Sequence, residues 1–344
     1  MLTKRDFVSG AAALATVAPR MASAQETTKI RFLLDWKYQG IHAFVFWAAE
    51  KGYFASEGLD VTVDQGSGSA ATVTQISAGA YDAGLGDVNA IIQLAAAKPG
   101  MQPKMVYMLY NRPPFALITK SSSSIKTLRD IAGKTLGSPA GGASLQLFPA
   151  LAKLNGIDPA TVPVVNMQPS LQEQMMLNGQ VDVSAIFSVT SYINLMGLKV
   201  DPDKDIRWFF YADYGIDLYS NGVMVSAKLL AEKPKSVAGL VRAINRALIE
   251  IAADPDAAMQ VMKKIEPLTN VELEKARLVY TFQKHFVSAE TDQIGLGDVK
   301  PDRFERGIKL LVDTYKLPST PTFSDIFDQS ALPPISERQL KLKS

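Results

Sequence analysis

The sequence predicts an α/β protein built as two lobes, and three observations point there. Apolar strand-like runs alternate with helical stretches between residues 30 and 110, separated by glycine-rich turns. That is the pattern of a sheet covered by helices. The same pattern restarts near Phe115 and runs to about Tyr211. After a short strand at 222–226, helical periodicity takes over nearly to the end. A chain of this length holds two domains comfortably.

In the first unit, residues 30–34 read as a buried strand. Residues 42–51 read as a helix with Phe44, Trp47, Ala48 and Lys51 on one face and Gly52 placed to stop it. A strand at 59–63 follows, then the turn Gly66-Ser67-Gly68-Ser69 and a helix at 70–78 ended by Gly79. A strand at 83–86, a helix at 88–97 closed by Pro99-Gly100 and a strand at 105–110 complete the unit. In the second unit, an extended run at 115–119 precedes the polar break Ser121-Ser122-Ser123-Ser124. A strand at 135–138 leads through Pro139-Ala140-Gly141-Gly142 to a helix at 144–155. A strand at 162–166, a helix at 170–178 ended by Gly179, and strands at 183–187 and 205–211 follow. Helices at 237–253, 255–264, 273–284 and 301–315 read as packing back on the first lobe.

The chain therefore crosses between lobes near Leu117 and again near Asn221. Residues 25–117 and 222–344 form lobe 1, and 118–221 form lobe 2. Two crossings make a hinge with a cleft between the lobes. An internal echo supports similar lobes: Gly79-Ala80-Tyr81-Asp82 and Gly179-Gln180-Val181-Asp182 both join a helix end to a strand.

The first 24 residues read as an export signal. Lys4 and Arg5 precede an apolar stretch, Pro19 and Arg20 interrupt it, and Ala22-Ser23-Ala24 offers a small-x-small cleavage site. The stretch is short of the roughly 20 residues that span a bilayer. Cleavage after Ala24 starts the mature chain near Gln25. Thr3-Lys4-Arg5-Asp6-Phe7-Val8 is similar to a twin-arginine motif with Lys for the first Arg, so the general secretory and twin-arginine routes both stay open. The chain carries a formal net charge of +2. Lys4, Arg5 and Arg20 against Asp6 account for it, so the mature chain is near neutral. A nucleic-acid binder would need a clustered basic face. There is no cysteine, which excludes a lipid anchor at a new N-terminal Cys, disulfides and thiolate metal sites.

Several segments carry a family resemblance: Leu34-Asp35-Trp36, His42, Ala49-Glu50-Lys51-Gly52-Tyr53-Phe54 and Glu57-Gly58-Leu59-Asp60-Val61. Leu128-Arg129-Asp130-Ile131-Ala132-Gly133-Lys134-Thr135-Leu136-Gly137 and the Asn178-to-Asp182 turn add to them. The chain resembles the nitrate/sulfonate/taurine and thiamine-pyrimidine-precursor group of substrate-binding proteins of ABC importers. The resemblance implies the type II periplasmic binding protein fold, two α/β lobes joined by a two-strand hinge. It also implies a small molecule held between the lobes, a permease partner in the inner membrane, a periplasmic location and a monomer.

The residues themselves say where a ligand sits. In open α/β sheets, ligands collect beyond the carboxyl ends of strands. Three loops lie there: Trp36 to His42 with Tyr38, Ser67-Gly68-Ser69-Ala70, and Ala140-Gly141-Gly142 with Ser144. Glycines let backbone approach closely, and helix starts offer free N–H groups to polar oxygens. Asp87 and Asn89 follow a strand, Asn111 and Phe115 stand beside the first crossing, and Phe187, Ser188 and Tyr214 are candidates from lobe 2. Trp36 and Tyr38 together read as stacking aromatics or as lobe packing, and His42 as a ligand contact or a buried structural histidine. Asp87 reads as a ligand partner or a helix cap.

Nothing in the sequence singles out a reaction. His42 and His285 are the only imidazoles, and no nucleophile elbow, phosphate loop or dinucleotide fingerprint is present. The expectation is a binding protein with no cofactor and no metal. Two rivals stay open: an enzyme like the fungal thiamine-pyrimidine synthases, and a periplasmic ligand sensor. The resemblance implies for those synthases a pyridoxal cofactor, a histidine at a place like His42 and a cysteine-rich motif, the last of which is absent here. The expected ligand is aromatic or heteroaromatic, pyrimidine-like or a carboxylate, with an alkyl sulfonate as the alternative.

Overall fold

A computed structural model describes residues 27–340 and Leu342; the export-signal reading of residues 1–24 lies outside them. The chain lays down β1 (Thr28–Leu33), β2 (Leu59–Asp64), β3 (Ala83–Asp87) and β4 (Lys104–Met108). It then forms β5 (Phe115–Lys120), β6 (Leu136–Ser138), β7 (Val164–Asn166), β8 (Val183–Phe187) and β9 (Ile206–Phe210), and returns with β10 (Asn221–Val225). These build two five-stranded sheets, ordered β2-β1-β3-β10-β4 and β7-β6-β8-β5-β9.

Each sheet has a parallel set and one strand that runs against its neighbours. β10 is antiparallel to β3 and β4, and β5 is antiparallel to β8 and β9. Both reversed strands are the ones that enter a sheet directly after a crossing. They arrive at the end where the parallel strands finish, so they must run back from it.

The register corrects the lobe boundaries. Phe115, Ala116 and Leu117 pair with Phe187, Ile186 and Ala185, so the chain leaves the first sheet between Met108 and Phe115 rather than at Leu117. Asn221, assigned to lobe 2 from the sequence, pairs with Asp87 in the first sheet. An apolar run carries no mark of which sheet it joins; only hydrogen-bond pairing decides that.

Helices α1 (Ala43–Glu50), α2 (Tyr53–Ser56), α3 (Ser69–Ser77) and α4 (Val88–Ala97) belong to the first unit. Helices α5 (Ala143–Leu154), α6 (Gln172–Leu177) and α7 (Ser188–Gly197) belong to the second. Helices α8 (Ala227–Glu232), α9 (Pro234–Ala253), α10 (Pro255–Ile265) and α11 (Val271–Thr281) follow. Then come α12 (Thr291–Ile294), α13 (Pro301–Tyr315) and α14 (Phe323–Ile326). Proline stands in the first turn of α9, α10 and α13, where its missing N–H costs nothing. Val237, Leu240, Val241, Ile244, Leu248 and Ile251 form one buried stripe along α9 at the spacing of a single helix face.

Helices α9 and α10 pack on α1, as expected for the first lobe, but α11 and α13 do not stay there. Helix α11 packs on α7, and α13 packs on both α4 and α5. Amphipathicity tells that a face is buried, not against which neighbour. Among the described residues, no helix is long and apolar enough to cross a membrane.

The sequence echo is a repeated joint. The Asp82 carboxylate accepts from the Arg31 backbone N–H at 2.9 Å. The Asp182 carboxylate accepts from the Thr135 N–H at 2.8 Å. Partial burial raises the Asp82 carboxyl, but the Arg31 side chain and backbone N–H together hold it below its usual pKa, and the Thr135 N–H and hydroxyl do the same for Asp182.

Candidate ligand-binding cavity

The ends of β1 in the first sheet and of β6 and β8 in the second meet at a common cavity. Lobe 1 lines it with Asp35 and Trp36 just past β1, Gln39 and Ile41 from the same loop, and Ser69 at the start of α3. The second unit supplies Ser138 at the end of β6, Gly142, Ala143 and Ser144 at the start of α5, and Gln172 at the start of α6. Ala185, Ile186 and Phe187 of β8 and Thr190 of α7 complete the wall. The cavity keeps only about 30 Å³ of free space, room for water rather than for an organic ligand, so a ligand enters only when the lobes part.

Asp35 is the charged group on the wall. It is buried, and both its oxygens are engaged: Oδ1 lies 2.9 Å from His42 Nε2, and Oδ2 accepts from the Asn221 amide at 2.6 Å. The His42 ring is used from both sides, because its Nδ1 accepts the Gln39 backbone N–H at 3.2 Å. That assignment places a proton on Nε2, facing the carboxylate. Each carboxylate oxygen can accept again, so Asp35 offers an oriented acceptor for a donor in the cavity.

Helix starts from both lobes also face the cavity. Helices α3, α5 and α7 begin at the cavity, with Ser69, Gly142 to Ser144, and Phe187 to Thr190. Their unpaired N–H groups and dipoles favour electronegative atoms. The side-chain hydroxyls are partly committed: Ser144 donates to the Ile186 carbonyl at 2.7 Å, and Thr190 to Gln39 Oε1 at 3.3 Å. The Thr190–Gln39 bond spans the two lobes.

The two glycine turns meet each other. The Ala70 N–H donates to the Gly141 carbonyl at 3.2 Å. A Cβ on Gly68 would fall onto that same carbonyl, so only glycine allows the approach. Both turns supply lining residues, Ser69 and Gly142, and one N–H of the α3 start is spent on lobe-to-lobe contact.

Of the residues expected at the site, Trp36, Ser69, Gly142, Ser144 and Phe187 line the cavity. Tyr38 does not share the wall with Trp36; it packs edge-on against Phe46 at 5.2 Å. His42 lies behind Asp35, with Ile41, Tyr110 and Asn221 around a small inner void. Asp87 and Asn89 are buried and bonded to each other at 2.8 Å, with the Asn89 amide also on the Tyr219 carbonyl. Burial pushes the Asp87 carboxyl up to about 7. Asn111 bonds Glu290 and Ser288. Ser188 bonds His285 Nε2 at 3.0 Å. Tyr214 packs near Phe209, and Phe115 sits edge-on to Phe187 at 5.5 Å. Ser67 is exposed on the turn, while Ala70, Ala140 and Gly141 line a shallow groove outside the mouth.

Sequence reasoning did not select Asp35, Gln39, Ile41, Ser138, Gln172 or Thr190. Asp35 had a signal, a carboxylate directly after an apolar strand and before Trp36. Thr190 had none, because the helix that carries it was not read from the sequence.

Comparison with known proteins agrees with this architecture. The NMT1/THI5-like family matches residues 39–258. The riboflavin-binding protein RibY of Chloroflexus aurantiacus is 27% identical over 289 residues, covering 83% of this chain and 81% of that protein. The 4-amino-5-hydroxymethyl-2-methylpyrimidine phosphate synthase of Schizosaccharomyces pombe is 25% identical over 241 residues, covering 67% of each. Among solved structures, the alkanesulfonate-binding protein SsuA from Xanthomonas axonopodis pv. citri bound to MOPS superposes with a TM-score of 0.67 at 15% identity. It covers 89% of this chain and 100% of that one. The fold is thus the two-lobed periplasmic binding protein fold.

Proposed function

The chain belongs to the NMT1/THI5-like family, and from that premise we propose that it is an exported receptor, not an enzyme. It captures a compact planar heterocycle between its lobes and delivers it to an ABC importer's permease. One observation carries the ligand class: a buried carboxylate, Asp35, stands beside the Trp36 indole on a wall that faces helix starts. Asp35 suits an amino or ring N–H donor, Trp36 suits a flat ring, and the helix starts suit a hydroxyl or other oxygen at the far end. An aminopyrimidine bearing a hydroxymethyl group has these three parts. A sulfonate would bring its charge against Asp35.

The placement of His42 supports binding over synthesis. Both its ring nitrogens are occupied within the protein, and it lies behind the cavity wall. The export signal read in residues 1–24 supports a periplasmic location and a transporter partner. Capture by both lobes also requires that the ligand prefer the closed form, since only differential affinity shifts the lobes' equilibrium.

Calorimetric titration of the purified mature protein tests the reading with 4-amino-5-hydroxymethyl-2-methylpyrimidine, riboflavin and an alkanesulfonate. Small-angle scattering of the same samples follows closure. The expected result is tight binding of the pyrimidine with a smaller radius of gyration. Binding of the sulfonate alone overturns the ligand class. Conversion of an added vitamin precursor into a new product overturns the receptor role.

A further inference from the structure

Outside the cavity, on α11, the buried Arg277 pairs with the half-buried Glu274, and their contacts reach both lobes. Arg277 is buried and uses all five of its N–H donors. Its Nε and Nη2 grip Glu274 at 2.9 and 3.0 Å. Its Nη1 donates to the carbonyls of Val189 and Thr190 at 2.8 and 2.7 Å, and Nη2 also reaches Asn194 Oδ1 at 2.9 Å. Those three acceptors belong to α7, behind β8 of the second sheet. On the other side, Glu274 Oε2 accepts the Gly40 backbone N–H at 2.5 Å. Gly40 lies between Gln39 and Ile41, both of which line the cavity from lobe 1. A Cβ on Gly40 would fall onto the Glu274 carbonyl oxygen, so α11 is seated directly on that loop.

We propose that Glu274 and Arg277 form an interlobe bracket that holds the ligand cavity closed. They are positioning residues: Glu274 sets Gly40, and with it Gln39 and Ile41, while Arg277 sets Thr190. The chain of bonds runs from one wall of the cavity to the other without entering it. Opening the lobes must break it at one end, either at Gly40 or at the α7 carbonyls. Hydrogen bonds to charged groups are the strong ones, and leaving a buried guanidinium short of acceptors is costly. The bracket therefore favours the closed form whatever the ligand is, and it slows release. The effect on binding rests on the cavity reading above; the effect on closure does not.

The absence of cysteine makes a clean test. Spin labels on Lys126→Cys and Lys228→Cys, both at exposed positions in different lobes, report the interlobe distance by pulsed electron resonance. In the ligand-free protein, Arg277→Gln shifts the distribution toward longer distances. Asn194→Ala, which removes one bond and leaves the ion pair intact, shifts it less in the same direction; it also carries the test if Arg277→Gln fails to fold. With 4-amino-5-hydroxymethyl-2-methylpyrimidine as probe, Arg277→Gln raises the dissociation rate by roughly tenfold or more. It leaves the preference of pyrimidine over riboflavin unchanged. A merely structural arginine lowers the melting temperature but leaves the distance distribution alone, and that result overturns the bracket. A shifted distribution in a protein that binds no pyrimidine overturns the ligand class and keeps the bracket.

Discussion

The two walls of the cavity are made of different materials. Lobe 1 presents side chains from one loop: the Asp35 carboxylate, the Trp36 indole, the Gln39 amide and Ile41. The facing wall presents the starts of α5 and α7, with the small residues Gly142, Ala143 and Ser144 beside Gln172, Phe187 and Thr190. Side chains can discriminate between ligands because each carries its own charge and shape. Backbone N–H groups donate to many electronegative partners, so they orient more than they select. Under the proposed function, lobe 1 reads the ligand and the opposite wall encloses it.

The largest expected effect separates recognition from packing within lobe 1 itself. Trp47 is 7% exposed, and its indole N–H donates to Glu250 at 2.8 Å. Trp47→Ala should cost about 3–5 kcal/mol of stability while leaving affinity per folded molecule intact. Denaturant unfolding with parallel titration checks it; a selective loss of affinity would erase the distinction between core and wall.

Next comes pH, which sets lobe 1 against the hinge. His285 donates from Nδ1 to the Arg112 carbonyl at 3.1 Å, and its Nε2 lies against Ser188. Burial pulls it down to about 4. The unfolded chain then binds the extra proton between about pH 6.5 and 4, so this group's stability is present above that window and is lost as pH falls. Asp87 is the reverse: raised to about 7 by burial, it makes the folded state gain stability as pH falls from about 7 to 4. Each contribution is on the order of 3 kcal/mol, and in the native protein they oppose. Asp87→Asn should make stability fall on acidification, and His285→Gln should make it rise. Thermal melts from pH 4 to 7.5 show the two slopes; parallel slopes in the two variants would contradict the assignment.

Asp35→Asn tests the reading wall directly. It keeps the shape and removes the charge, and should weaken aminopyrimidine binding by about 100-fold, near 2.7 kcal/mol. Equal affinities by calorimetry would mean that the carboxylate only supports His42 and Asn221.

The smallest effect belongs to Trp36→Ala, about tenfold or more in affinity with the fold kept. A variant that binds normally but melts early would make Trp36 a packing residue, as Tyr38 is against Phe46.

Much of this architecture is legible in residue order. Strand–helix alternation, glycine at helix ends and the Gly-x-x-Asp echo are local signals. The structure places the strands at 59–64, 83–87 and 183–187 and the helix at 88–97 within a residue or two of where those signals put them. Helix α7 was not legible. Ser188-Val189-Thr190-Ser191 is rich in β-branched and hydroxyl residues that favour other conformations in isolation. Packing against α11 and the bonds to Arg277 hold it instead.

The sequence by itself determined the α/β class, the two lobes, the loops that approach the cleft and the presence of Trp36, Ser69, Gly142, Ser144 and Phe187 among the wall residues. Only the tertiary structure decided that β5 and β10 run against their neighbours and that the glycine turns meet each other. It also decided that His42 stands behind Asp35 and that Arg277 joins α11 to α7. The reason is physical. Turn chemistry and hydrophobic period act over a few residues and are written in order along the chain. The bond of Asn221 to the buried Asp35, the seat of Glu274 on Gly40 and the hold of Arg277 on α7 join residues 186, 234 and 88 positions apart, where order along the chain carries no distance.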